Sequence, residues 1–172
     1  MGRLSQKFYL RPADVVAKDL IGKKLVRVFD NDERLESIIS ETEAYCGEKD
    51  LACHASKGKT QRTKIMYEEG GKVYVYLIYG MYWLLNFVTH NEGEPHAVLI
   101  RGTLDIQGPG RIGKNLKLSK DFYGEDLMKS SKIWVEDSNY KPKVISKPRI
   151  GVDYAGEWAK KPWRFILDNS QK

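Results

Sequence analysis

Cysteine and histidine are scarce in this chain of 172 residues. Its two cysteines, Cys46 and Cys53, cannot build a disulfide framework, and their C-x6-C spacing is not that of a zinc site. His54, His90 and His96 form no H-x-x-x-H or E-x-x-H pair, so no metal centre is expected. No segment approaches the ~18 consecutive apolar residues of a membrane helix. The amino-terminal stretch MGRLSQKFYLRPADVV holds no apolar core of the kind a secretion signal needs. Repeats, low-complexity tracts and dividing linkers are missing as well. These absences predict a single-domain cytoplasmic protein, nucleoid-associated in a prokaryote, that works without a metal or cofactor and contacts no membrane.

Positive charge and tyrosine, by contrast, are abundant. The formal net charge is +6, and a basic surface draws in phosphate polymers. Tyrosine occurs ten times, four of them in YVYLIYGMY (74–82), where Tyr79 precedes the glycine of an apparent hairpin turn. Such turns ordinarily take Asn-Gly or Asp-Gly. A phenol ring at that tip suits a wedge pushed between base pairs, filling the gap left by an extruded nucleotide.

Periodicity predicts a short helix opening at Arg11-Pro12 and ended by Gly22, then strands at 23–29 and 35–45 around a DNDE turn. A polar loop (46–59) leads to a helix over TQRTKIMYEE, entered at Thr60 and stopped by Gly70-Gly71. KVYVYLI and MYWLLNFV flank the Tyr79-Gly80 turn, and HAVLIRGTLDI (96–106) reads as another strand. GPGRIGKNLKL begins a basic helix, and strand-like pieces follow at 132–136, 144–152 and 163–167. Strands dominate without regular helical alternation, which predicts an α+β domain. Its frame would be a curved, mostly antiparallel sheet with flanking helices and a protruding hairpin.

GPGRIG (108–113) fits the dinucleotide pattern G-x-G-x-x-G, but no parallel strand–helix–strand unit surrounds it. A helix start offering amides to one phosphate is the better reading, reinforced by Arg111, Lys114 and Lys117. In SETEAY (40–45), Glu41, Glu43 and Tyr45 share one strand face. With His54, Tyr74 and Tyr76 they could line a pocket of rings, an imidazole and a carboxylate. That pocket suits a flat, π-rich, even cationic ligand.

SETEAY, His54, VYVYLIYGMY, Asn86, AVLIRG (97–102), GPGRIGKNLKL and RIGVDYAGEWAKKPWRF (149–165) together resemble the methylpurine (alkyladenine) DNA glycosylases, in order and over nearly the whole chain. The stretch from 102 to 108 is shorter than in the longer members, and Cys53 and Asp153-Tyr154 depart from the family's pattern. The resemblance implies a base-excision-repair enzyme that flips damaged purines from double-stranded DNA and hydrolyses their N-glycosidic bond, as a monomer and without strand cleavage. It implies Glu43 as general base, with Arg101 and the Ile150 carbonyl holding the water. Tyr45 and Tyr76, with the His54 side, would sandwich the base; Tyr74 would support His54, and Asn86 would screen exocyclic groups. Tyr79 would intercalate, with Met81 against the DNA beside it. Two rival readings are a non-catalytic single-stranded nucleic-acid reader that stacks bases on tyrosines and an enzyme for adenine-like metabolites.

Overall fold

In the computed structural model, described over residues 2–170, eight strands form one curved sheet. They are β1 (Lys24–Val28), β2 (Arg34–Cys46), β3 (Val73–Ile78), β4 (Tyr82–Thr89), β5 (His96–Thr103), β6 (Ile133–Glu136), β7 (Val144–Lys147) and β8 (Arg164–Leu167). The main order is β3-β4-β5-β2-β1-β6, with β8 paired to β2 and β7 to β8; the paired strands are antiparallel. The thirteen-residue β2 is the spine, because β5 flanks one edge while β1 and then β8 share the other.

Helix α1 (Gln6–Tyr9) precedes α2 (Ala13–Leu20), and α2 packs on β2, β5 and β8. Ala13, Val16, Ala17 and Leu20 are all buried, giving α2 the apolar stripe that a helix needs to sit on a sheet. Thr42 donates its hydroxyl to the Ala17 carbonyl at 2.8 Å, so even-numbered residues in this part of β2 face α2. Glu43 and Tyr45 therefore point to the opposite face. Helix α3 (Pro109–Asn115) packs on β4 and β5. Gly113 is required there, since a Cβ would lie 1.9 Å from the Trp83 carbonyl oxygen. That packing demand, and not a nucleotide, accounts for the last glycine of GPGRIG.

Three elements differ from the sequence expectation. The stretch 60–69 is a turn followed by a four-residue 3-10 helix, Lys64–Tyr67. Each of Thr60 and Thr63 accepts the other's backbone N–H on its hydroxyl, at 2.9 and 3.1 Å, and such local bonds compete with α-helix. β5 stops at Thr103, where the Thr103 hydroxyl accepts the Ile106 N–H and turns the chain back. β7 ends at Lys147, so residues 148–152 leave the sheet. A 3-10 segment at Asp153–Lys160, kinked at Gly156, was not foreseen.

Candidate active site

Two opposed irregularities shape the centre of the sheet. Ile39 lies opposite Thr103, Glu41 opposite Gly102, and Thr42 opposite Ile100. Ser40 is thus one extra residue in β2, and Arg101 is one extra residue in β5. Bulges re-aim side chains, and this one turns Arg101 toward two carboxylates. Its Nε lies 3.3 Å from Glu41 Oε1 and its Nη1 3.5 Å from Glu43 Oε1. Glu41 is held from the other side by Arg164 at 3.2 Å. Beyond the bulges the register is regular, and Tyr74, Asn86, Leu99 and Glu43 stand in one row across four strands.

Glu43 has no exposed surface. Oε1 accepts the Tyr45 hydroxyl at 2.9 Å, and Oε2 accepts the Ile150 N–H at 2.7 Å. Ile150 thus meets this carboxylate through its amide hydrogen. Above Glu43 opens a cavity of about 350 Å³ lined by Tyr45, His54, Tyr74, Tyr76, Asn86 and Arg101, among others. That volume fits one drug-sized, planar ligand.

Much of the cavity wall is aromatic, broken by the charged side chains of Glu43, Arg62 and Arg101. The His54 and Tyr76 ring centroids are 4.5 Å apart, and His54 Nδ1 is 2.8 Å from the Tyr74 hydroxyl. Burial, reinforced by the charges of Arg62 and Lys57, pushes His54 down to about 4, so the imidazole is neutral. Burial likewise pushes Tyr74 up to about 12. The Tyr45 hydroxyl is raised well above its usual range by burial and then by the Glu43 carboxylate, so it keeps its proton and donates it to Glu43.

At the hairpin tip, Met81 N–H donates to the Ile78 carbonyl across a two-residue turn of Tyr79 and Gly80. Both have positive φ, 52° and 65°, as a type I′ turn demands. A bulky residue is costly in that conformation, and strain of this kind concentrates at functional sites. Tyr79 is 87% exposed and Met81 64%, and Tyr79 also lines the cavity mouth. Arg111 and Lys114 are exposed on α3, and Lys114 shares a surface depression with Met81. Lys117 lies just past the helix, with Nζ 5.2 Å from the Phe29 ring.

Residues 7–106 and 103–171 match the profile of the family described as Methylpurine-DNA glycosylase. The chain belongs to the methylpurine-DNA glycosylase family. Relatives named "Putative 3-methyladenine DNA glycosylase" are 44% identical over 187 residues in Methanocella arvoryzae, with 97% of this chain and 93% of the relative covered. The Legionella pneumophila (strain Corby) relative is 43% identical over 179 residues, covering 99% and 97%. The one from Wolbachia pipientis wMel is 46% identical over 169 residues, covering 94% and 89%.

Three features of this methylpurine-DNA glycosylase family chain escaped the sequence. Arg149 is buried and binds Asp50 through both Nη atoms, at 2.6 and 2.9 Å, the Ala44 carbonyl at 2.9 Å and the Trp158 carbonyl at 3.0 Å. Its Cζ also lies 5.0 Å from the Tyr45 ring. Asp50 in turn accepts the N–H groups of Cys46 and Ala52. One ion pair thereby ties the end of β2, the loop toward His54 and the segment that carries Ile150. Arg62, on the 61–63 turn, lines the cavity with its Cζ 5.0 Å from the Tyr76 ring.

The third is a cluster of His90, Glu94 and His96, whose possible ligand atoms lie within 4.8 Å of one another. His90 Nδ1 accepts the Asn91 N–H and His96 Nδ1 the Ala13 N–H, at 2.8 and 3.1 Å. A ring that accepts on Nδ1 carries its proton on Nε2, which leaves no lone pair there for a cation. No helix among the described residues is long and apolar enough to cross a membrane.

Proposed function

We propose that this chain extracts alkylated purines from double-stranded DNA and hydrolyses their N-glycosidic bond with Glu43 as the general base. The observation that carries this reading is a fully buried carboxylate on the floor of an aromatic cavity, with both its oxygens oriented by fixed donors. An ionised carboxylate offers about four acceptor sites. Tyr45, Arg101 and Ile150 use three, so one remains for a water aimed into the cavity. As the water attacks the sugar carbon, Glu43 takes its proton and the purine departs with the bonding electrons.

Ordinary glycosidases need a second carboxyl group to protonate the leaving group. An N3- or N7-alkylated purine already carries positive charge and leaves unaided, so one carboxylate is enough. Tyr45 would stack on one face of the base, and Tyr76 with the His54 side on the other. The neutral His54 does not repel a cationic purine. Asn86, in the row between Tyr74 and Leu99, would test exocyclic groups. Strand cleavage would require an amine nucleophile, and lysine is missing from the described lining of the cavity. Base release should therefore leave an intact strand with an abasic site.

Incubating the protein with methylated duplex DNA tests this reading: free alkylated purine should appear, with breaks only after alkali. Failure to release base would return the chain to the single-strand reader. Against that reader stands Glu43, whose negative charge on the binding face would repel phosphate. An enzyme for free adenine-like metabolites would leave the exposed Tyr79 and the basic edge of α3 idle. Tyr79→Ser should slow excision from duplex by about tenfold or more, since unstacking a base costs a few kcal/mol that the ring no longer offsets. Excision from single strands should change little. Equal losses on both substrates would show that Tyr79 is not a wedge.

A further inference from the structure

The proposed base cavity already contains a cation of the protein's own. Arg62 is exposed on the 61–63 turn, and its guanidinium lies over the Tyr76 ring at 5.0 Å while bordering the same cavity as Glu43 and Tyr45. Among the described residues no carboxylate reaches salt-bridge distance of it. No direct ion pair neutralises its charge, and that charge already bears on the neighbouring His54. An aromatic face attracts cations electrostatically, so a positively charged purine and this guanidinium compete for the same ring.

Resting on the function proposed above, we propose that Arg62 is a specificity-determining residue. It occupies the Tyr76 ring in the free protein, and its charge biases the cavity toward neutral purines over cationic ones. A neutral base has only to displace the side chain, which can swing into solvent. A cationic base must do the same and also approach a like charge that stays tethered nearby. At about 6–8 Å in a wet, half-open site, like-charge repulsion corresponds to about a 3–10-fold loss of relative affinity.

The test measures binding to three duplexes: undamaged, carrying 2′-fluorinated 7-methylguanosine, and carrying 2′-fluorinated inosine. The fluorine slows bond cleavage, so wild-type protein can be used throughout, and the two damaged bases differ in charge. Contacts of Arg62 with the DNA backbone, and any loss of folded protein, cancel in the ratio of the two lesion affinities. Arg62→Met should move that ratio about 3–10-fold toward 7-methylguanine. Arg62→Lys, which keeps the charge, should stay closer to wild type than to the methionine variant. A ratio within twofold of wild type in Arg62→Met overturns the inference, as does a lysine variant shifted as far as methionine. Loss of all lesion discrimination in Arg62→Met also overturns it, because Arg62 would then admit bases instead of opposing cations. Wild-type protein that distinguishes neither lesion from undamaged duplex removes the proposed function itself, and this inference with it.

Discussion

Glu43→Gln is expected to lower single-turnover release of 7-methylguanine by about 10²–10⁴-fold, the usual worth of a positioned general base. Binding to lesion-bearing duplex should stay within a few-fold. The amide keeps the carboxylate's shape, and its oxygen can still accept the Ile150 N–H. Its NH2 would face the Tyr45 hydroxyl, which can reverse its role and accept, so that only the long 3.5 Å contact from Arg101 is lost. The fold is thus spared while the proton acceptor is removed. Near-normal turnover would transfer the role to Glu41 or dismiss the mechanism. Glu41 is a poor substitute, because it is missing from the described lining of the cavity.

The second large effect falls on stability. Arg149→Met should cost about 3–5 kcal/mol in urea denaturation, because it leaves the buried Asp50 charged and unpaired. Adding Asp50→Asn should cost much less than the sum of the single changes, since the charge that needed a partner has gone. Additive losses below about 1 kcal/mol each would mean that the pair is not coupled. Excision should fall together with stability in Arg149→Met. The ring of Tyr45 and the segment holding the Ile150 amide both rest on this guanidinium.

What was legible in the sequence follows from what alternation and punctuation can carry. The hairpin was readable because Tyr79-Gly80 interrupts two strongly β-forming runs, and α2 because Pro12 and Gly22 bracket an apolar stripe. Glu43, Tyr45, Tyr74 and Tyr76 could be assigned to faces by their spacing alone, and the sheet brings those faces to one cavity. The helix over 60–69 failed because two threonine hydroxyls satisfied the backbone locally, a choice that residue pattern does not display. Arg149 and Asp50 were invisible for another reason. They lie 99 residues apart, and only the folded chain makes each the counter-charge of the other. Arg62 lies in the same stretch, where the pattern of a helix marks an arginine as solvated surface.

The paired bulges also limit how the protein can change in length. Ser40 reverses the alternation of β2, so that Ile39 and Ala44 both reach the core under α2 while Glu43 turns away from it. Arg101 reverses β5 in step, and the two strands come back into register at Thr42 and Ile100. Losing one residue from either strand alone would rotate everything beyond it by half a turn. For β2 that would send a carboxylate and a phenol into the apolar layer and an alanine into the cavity. Insertions and deletions between 39 and 43, or between 99 and 103, are therefore tolerable only as matched pairs. Elsewhere a lineage can lengthen its loops freely, but across these two strands it can substitute residues and cannot count differently.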